Sequence, residues 1–330
     1  MTPVRLTGAV LLAAIGLMLA GCESPLYWFV QPKKLYAAVS TTHALYVLDR
    51  GGLRSTWQQV WLSDAPTRLA YVPGHNEILA LEPAARAVAV ISPQTNSVTA
   101  TVGTSGQGTD LTVSADGNDA FVADSSDDTV TRIDLATLRV DKIFSYAGSN
   151  FVPVAIAAHP TVASDVYVVS STGQVSIIRG DIQDATSFAL PGAVKPARIV
   201  PGPDQDLYVT DSGAPYLFHI TDPSNPQAQQ IPISGAAGNP YDVAVAPDGT
   251  VYLTIPDSGK VVKLVESSHT ETPYDTGGSS PRAIVADSAG IYIANEDSNQ
   301  VVAMTFSGSD LLEPQIMDTL PGPPVDLLAI

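Results

Sequence analysis

Apolar and polar residues alternate along this chain in short runs that return about every 40 residues from residue 35 onward. The clearest unit, residues 108–140, reads GTDLTVSADGNDAFVADSSDDTVTRIDLATLRV. It predicts a strand, an Asp-Gly turn, a second strand, a polar turn and a third strand. Residues 195–220, 239–264 and 280–304 repeat this pattern, and no helical periodicity separates the units. A repeat of this length is typical of propellers and solenoids.

Seven units align on a large apolar residue in the second predicted strand of each. These anchor residues are Tyr36, Leu79, Phe121, Tyr167, Tyr208, Tyr252 and Tyr292. Successive anchors are 40 to 46 residues apart, a regularity that a pair of β-sandwich domains would not keep. Seven units of four short strands predict an all-β fold, a seven-bladed β-propeller, over residues 35–330.

The C-terminal sequence VDLLAI, residues 325–330, predicts a buried strand with nothing after it to pair with. In a complete unit the first strand lies about eight residues before the anchor, as Ile284 lies before Tyr292. Tyr36 has only the polar sequence VQPKK before it, so the first blade lacks a first strand. We therefore predict that the C-terminal strand pairs with the first blade, which closes the ring and removes two exposed sheet edges.

The first 21 residues predict a secretory signal peptide. Arg5 precedes a short apolar run that ends in small residues and in the chain's one cysteine, Cys22. Residues 19–22, Leu-Ala-Gly-Cys, resemble the lipobox of bacterial lipoproteins. The resemblance implies cleavage before Cys22 and acylation of Cys22, which would anchor the protein to a membrane by more than one acyl chain. The alternative is an ordinary secreted protein with an incidental cysteine.

The expected domains are thus a lipoprotein signal peptide over residues 1–21, a lipidated tether over 22–34 and the propeller over 35–330. Glu23 follows the cysteine where the inner-membrane retention signal of enteric bacteria has aspartate, so the outer membrane is the expected address in the cell envelope. Tyr27, Trp28 and Phe29 either enter the membrane interface or pack on the propeller. The leaflet stays open.

Charge argues against nucleic acid as a partner. The chain has 16 Lys and Arg against 33 Asp and Glu, a net charge of −17, which repels phosphate backbones. Solubility alone is a sufficient reason for that charge. One cysteine also excludes an internal disulfide framework.

Several second strands end in a common four-residue pattern. The sequences FVAD (121–124), YVTD (208–211) and YIAN (292–295) resemble the signature of YVTN-type β-propeller repeat proteins. The first, second and fourth units depart from it, with YAAV, LALE and YVVS. The resemblance implies a seven-bladed propeller, often exported, that serves mostly as a binding or scaffolding module. It therefore bears on the fold more than on the function.

The sequence presents no recognisable catalytic set, and we predict no metal and no cofactor. There is no Gly-x-Ser-x-Gly elbow and no phosphate-binding loop. The histidines fall in unrelated parts of the predicted blades, without metal-ligand spacing. They are His43, His75, His159, His219 and His269. The acidic stretches SSDD (125–128) and PDSG (256–259) could offer oxygens to calcium, but capped tight turns explain them better.

One set of charged residues is predicted to converge. The residues just before the predicted first strands are Arg68, Asp110, Pro153, Arg198, Asp242, Ala283 and Asp326. First strands are innermost in a propeller, so these residues should surround one mouth of the central channel. Ion pairs that tie blades together are the favoured explanation, and a site for a small polar ligand is the other. If the pairs are exposed they are worth about 0–1 kcal/mol each, so replacing Arg198 should change stability little.

The favoured hypothesis is a membrane-anchored envelope lipoprotein whose propeller binds a protein or a small ligand without catalysis. One alternative is a propeller hydrolase of the lactonase type, for which Asp110, Asp242 and Asp326 are the candidate carboxylates. The other is an assembly factor for outer-membrane proteins, which an apolar rim patch or exposed strand edges would favour.

Overall fold

The computed structural model describes residues 34–49, 57–183, 188–202, 205–221 and 227–330. The predicted signal peptide and the tether up to residue 33 lie outside them. The described residues form seven antiparallel sheets, and the first strands of successive blades contact one another around a common centre. The prediction of an all-β, seven-bladed propeller is confirmed. In this part of the chain, no helix has both the length and the apolar character needed to cross a membrane.

The strands are numbered along the chain. Blades 1 and 2 contain β1 (Lys34–Val39), β2 (Ala44–Asp49) and β3 (Gln58–Trp61), then β4 (Arg68–Val72), β5 (Glu77–Glu82), β6 (Ala87–Ser92) and β7 (Ser97–Gly103). Blade 3 contains β8 (Gly108–Val113), β9 (Asp119–Asp124), β10 (Thr129–Asp134) and β11 (Arg139–Ser145). Blade 4 contains β12 (Pro153–Ala158), β13 (Asp165–Ser170), β14 (Gln174–Arg179), β15 (Ile182–Gln183) and β16 (Phe188–Ala189).

Blades 5 and 6 contain β17 (Pro196–Pro201), β18 (Leu207–Asp211), β19 (Tyr216–Thr221) and β20 (Gln227–Pro232), then β21 (Val243–Val245), β22 (Val251–Ile255), β23 (Lys260–Val265) and β24 (Thr270–Asp275). Blade 7 contains β25 (Pro281–Ala286), β26 (Gly290–Asn295), β27 (Gln300–Ser307), β28 (Asp310–Leu311) and β29 (Gln315–Thr319). The final strand is β30 (Pro324–Ala329). Two 3-10 helices, Pro256–Ser258 and Glu266–Ser268, lie in blade 6.

The final strand completes the first blade. Strand β30 pairs antiparallel with β1, with Tyr36 opposite Leu328, and the sheet order of blade 1 is β3-β2-β1-β30. Ile330, just after β30, continues this pairing. The amide of Lys34 donates to the carbonyl of Ile330 and the amide of Ile330 donates to the carbonyl of Lys34, both at 2.9 Å. The predicted closure is therefore confirmed, because the two ends of the propeller domain share one sheet.

The core lies between neighbouring blades. Strands β18, β22 and β26 are buried along their whole length, because each blade is covered by a neighbour on both faces. This double coverage explains why second strands read as nearly continuous apolar runs. The outermost strands are mostly exposed, as in β7 and β11. One inter-blade cluster joins Tyr36 and Leu45 of blade 1 to Ile78 and Ala89 of blade 2.

The last residue of the second strand fixes the loop that enters the same blade. Asp211 accepts hydrogen bonds from the backbone amides of Val194 at 2.6 Å and Lys195 at 2.8 Å. In blade 2, where the four-residue pattern ends in Glu82, that carboxylate accepts from the amide of Asp64 at 2.5 Å. A polar residue at this position thus replaces the backbone pairing that the entry loop lacks. Asp211 and Glu82 are therefore explained by folding, without any need for a ligand, whereas Asp124 caps the turn that follows it.

Candidate functional site

The five charged residues of the predicted ring meet at one end of the central channel, and we call Arg68, Asp110, Arg198, Asp242 and Asp326 the channel-mouth cluster. They lie within or next to the first strands. Arg68 opens β4, Asp242 directly precedes β21, and the other three are third residues of their strands. A register shift marks the preceding residue in β8, β17 and β30. Such bulges bend a strand and redirect the side chain that follows.

The structure corrects the predicted alignment in blade 4. Pro153 lies opposite Ser170, and the shift at residue 154 places Ala155 opposite Val169. That is the register in which Asp110 lies opposite Ala123. We call the residue in this register the ring position of its blade. In blade 4 the ring position is Ala155, and Pro153 lies two residues upstream of it. The physical reason is the turn between β12 and β13, which has six residues where the turn between β8 and β9 has five, so counting back from the anchor residue gives a wrong position.

Arg198 lies at the centre of the cluster and binds three carboxylates from three other blades. Its Nη1 lies 2.9 Å from Asp110 Oδ1, its Nε 3.2 Å from Asp242 Oδ1 and its Nη2 3.4 Å from Asp326 Oδ1. Asp242 is on the adjacent blade, whereas Asp110 and Asp326 are on blades 3 and 1. The ring positions of blades 4 and 7 are alanines, Ala155 and Ala283, so no long side chain from those blades competes for the same space.

The second oxygen of each aspartate binds the next blade. Asp326 Oδ2 accepts from the amide of Leu69 at 2.7 Å, Asp110 Oδ2 from Ile156 at 3.0 Å and Asp242 Oδ2 from Ile284 at 3.1 Å. Each of these amides belongs to the residue directly after the ring position of its own blade. Each ring aspartate therefore joins the first strand of its blade to the first strand of the next, a contact that the sequence analysis missed.

Burial makes these contacts strong. The three aspartate side chains are only 4–5% exposed and Arg198 is 16% exposed. Arg68 adds a second cation, with its Nε 3.4 Å from Asp110 Oδ1. Burial raises the pKa of Asp326 to about 6, although Arg198 and Arg68 oppose that rise. For Arg198, burial acts to lower the pKa, and the surrounding Asp242, Asp110 and Asp326 outweigh it, so the guanidinium stays charged.

The histidines do not converge. His43 faces Asp64 at 3.5 Å and His75 faces Glu77 at 3.7 Å, in different blades. His159 is buried, and Nδ1 accepts from the amide of Val162 at 3.0 Å. Burial lowers the pKa of His159.

Neither candidate calcium loop gathers a set of metal ligands. Asp124 Oδ1 accepts from the amide of Ser126 at 2.8 Å, which caps the turn over residues 125–128. The stretch 256–259 is a 3-10 turn ended by Gly259, which adopts φ 67°. Across the described ranges, no three or more His, Cys, Asp or Glu side chains are grouped as a metal site would need.

Sequence reasoning also missed a polar cluster between blades 5 and 6. His219 Nε2 lies 2.7 Å from Asp206 Oδ2, and Nδ1 lies 3.2 Å from Glu266 Oε1. The ring of His219 stacks on Tyr208 with 4.7 Å between centroids, and the Tyr208 hydroxyl donates to Glu266 at 3.0 Å. The cluster joins two blades far from the channel mouth.

Solved structures of other proteins share this fold. The periplasmic gluconolactonase of Pseudomonas aeruginosa superposes with a TM-score of 0.70 at 15% identity, over 90% of this chain and 99% of that one. Virginiamycin B lyase of Staphylococcus aureus gives 0.66 at 16% identity, over 76% and 83%. A functionally unknown protein from Desulfotomaculum acetoxidans gives 0.74 at 13% identity, over 91% and 99%. No family model matches the sequence, and no curated protein does. At these identities the likenesses establish the fold alone.

Proposed function

We propose that this chain is a lipid-anchored protein of the cell envelope whose propeller binds a protein or a small ligand and carries out no chemistry on it. One observation carries the non-catalytic part. Each aspartate of the channel-mouth cluster has one oxygen on Arg198 and the other on a backbone amide. A general base or nucleophile must present a free oxygen to its substrate. The channel-mouth cluster therefore stabilises the packing of the blades. The loops around it are then the part of the propeller that would contact a bound protein or ligand.

The anchoring part rests on Cys22 and the small residues before it. These lie outside the described residues, so sequence is their support. Two or more acyl chains on one residue exceed what stable membrane attachment requires. The apolar second strands of the propeller are buried between blades, so they are not available for membrane contact. The outer membrane is the address we propose.

Replacing Cys22 by serine tests the anchor. In the bacterial host, Cys22→Ser should abolish acylation and shift the protein from the membrane fraction to the soluble fraction, or leave it uncleaved. Fractionation with immunodetection, together with the mass of the mature N-terminus, measures both effects. A serine variant that stays with the membrane while the native protein carries no acyl chain would contradict the proposal. Glu23→Gln is the matched control, because it changes the neighbouring residue and leaves the thiol in place.

A hydrolase of the lactonase type is the second candidate. It is favoured by the convergence of three carboxylates and two arginines at the channel mouth, in a fold shared with a gluconolactonase. The pairing of those carboxylates with Arg198 argues against it. Incubating the purified protein with gluconolactone and following acid release distinguishes the two. Turnover that Asp110→Asn removes would favour the hydrolase. The assembly-factor hypothesis stays a prediction.

A further inference from the structure

The propeller has two different faces, and the chain enters at one of them. We use blade 7 to define them. The loop face carries the entry loops and the turns between second and third strands, such as residues 276–280 and 296–299. The anchor face carries the turns between first and second and between third and fourth strands, such as residues 287–289 and 308–309. The channel-mouth cluster lies near the starts of the first strands, and therefore at the loop face.

Strand β1 begins at the anchor face, because it is the second strand of blade 1 and runs antiparallel to β30. Its first residue is held firmly. The ammonium of Lys34 donates to Asn96 Oδ1 at 3.0 Å, and the Tyr36 hydroxyl donates to the same oxygen at 3.3 Å. Asn96 lies in the turn between β6 and β7, which is also on the anchor face. The tether is thus fixed to that face where it joins the propeller.

The length of the tether limits how the propeller can sit on a membrane. Eleven residues separate Cys22 from Lys34, and even fully extended they span at most about 40 Å. A random-coil polypeptide of eleven residues has an average end-to-end distance of about 17–20 Å. To bring the loop face to the bilayer, the tether would first cross the third and fourth strands, about 10 Å, and their side chains. It would then run about 20 Å along the outer wall. That route, about 30 Å before side chains are allowed for, uses about three quarters of the full extension and would cost much of the conformational freedom of a chain of this length.

We propose that the anchor face lies toward the lipid bilayer and that the loop face, with the channel-mouth cluster, is held toward the aqueous compartment, where a partner would meet it. This inference rests on the proposed lipid anchor. The anchor face is then next to the bilayer, and the loop face is not. A protein or polar ligand, rather than a lipid headgroup of the same membrane, is then the class of molecule that reaches the loop face.

Two positions in blade 7 provide a matched pair for the test. Ser279 is exposed on the loop face and Ser288 is exposed on the anchor face. They flank β25, whose six residues separate them by about 20 Å. An azide-bearing amino acid placed at one or the other takes a donor dye. The mature full-length chain is then coupled through Cys22 to a maleimide lipid in phosphatidylcholine vesicles that contain a headgroup acceptor dye. We expect energy transfer to be several-fold faster from position 288 than from position 279.

Equal transfer from the two positions, or faster transfer from position 279, would overturn the proposal. Inserting thirty Gly and Ser residues after Pro32 provides the control, since a longer flexible tether should reduce the difference between the two positions. A difference that is unchanged by the insertion would contradict the tether as its cause. Because coupling at Cys22 replaces natural acylation, this experiment reports orientation even if the native protein carries no acyl chain. Failure of the anchor and failure of the orientation are therefore distinguishable.

Discussion

Replacing Arg198 by alanine is expected to lower the free energy of unfolding by about 3–5 kcal/mol, which is the usual cost of removing one partner from a buried charge network. The substitution leaves three carboxylates at 4–5% exposure without their shared cation. Arg68 replaces it only in part, because it lies at ion-pair distance from Asp110 and acts on Asp326 by a longer-range charge interaction. Urea unfolding followed by circular dichroism, with the midpoint and slope fitted separately, measures the loss.

An exposed pair supplies the matched control. Lys260 lies 2.6 Å from Asp275, whose side chain is 81% exposed, so Lys260→Ala should cost no more than about 1 kcal/mol. If Arg198→Ala were as mild as Lys260→Ala, the channel mouth would have to be open enough for water to solvate the carboxylates. That result would favour the alternative hypothesis, in which the channel-mouth cluster binds a small polar ligand.

The same loss should depend on pH. In the intact protein the pKa of Asp326, about 6, lies above its ordinary value of 3.8. Its protonation therefore stabilises the fold below about pH 4, and that contribution is lost as the pH rises through 6. Without Arg198, the pKa of Asp326 should rise further, because a neighbouring cation that lowers it has gone. We therefore expect Arg198→Ala to be less destabilising at pH 5 than at pH 8. A loss of equal size at both values would contradict the electrostatic account.

The position of the channel-mouth cluster could be predicted from the sequence, but the strength of its ion pairs could not. Period and anchor residues indicated which residues approach the channel, because strand order in a propeller follows the repeat. They did not indicate that Arg198 reaches across to blades 1 and 3, since contacts across a channel leave no trace in a local pattern. The expectation that replacing Arg198 changes stability little assumed exposed pairs, and the exposures found here overturn that assumption.

A better alignment was available in the sequence. Proline stands two residues before the ring position in six of the seven units, at Pro66, Pro153, Pro196, Pro240, Pro281 and Pro324, and Gly108 takes the place in the seventh. Proline is tolerated at the first position of a strand because its missing amide is not needed there. Aligning on these prolines gives Ala155 for blade 4, as the structure does. Counting from the anchor residues failed because the turns between first and second strands differ in length from blade to blade, while this local pattern does not.

Deleting residues 325–330 should be the most damaging change to the propeller. Strand β30 packs on both neighbours of blade 1. Leu327, 3% exposed, joins a cluster with Tyr292 of blade 7. Leu328 and Ile330 pack against the cluster shared with blade 2. Full burial, as for Leu327, contributes about 1.5–3 kcal/mol, and the partly buried Leu328 and Ile330 contribute less each, against a total stability of about 5–15 kcal/mol for a typical protein.

The deletion also removes Asp326, and with it a partner of Arg198 and the acceptor for the amide of Leu69. Strand β1 and the first strand of blade 7 would both lose the strand that lies against them. We expect the truncated protein to aggregate or to melt well below the intact chain, as measured by differential scanning calorimetry and size-exclusion chromatography. A truncated protein that melts at the original temperature would show that β30 is an appendage to a ring that is stable without it.

A rearranged chain separates loss of the strand from loss of the C-terminus. The end of β30 lies beside the start of β1, with Ile330 and Lys34 exchanging amide hydrogen bonds. Residues 324–330 can therefore be moved ahead of Lys34 and joined to it by an Asn-Gly turn, which suits a tight hairpin. This variant keeps every strand and ends at residue 323. The reference for its melting temperature is the mature chain without residues 22–33. The rearranged chain should recover most of the lost melting temperature, because closure depends on the strand being paired and not on which terminus supplies it. The contrary result is a rearranged chain that melts no higher than the truncated one. Pairing and burial of β30 would then not explain the stability of the closed propeller, which would depend instead on the order in which its strands are connected.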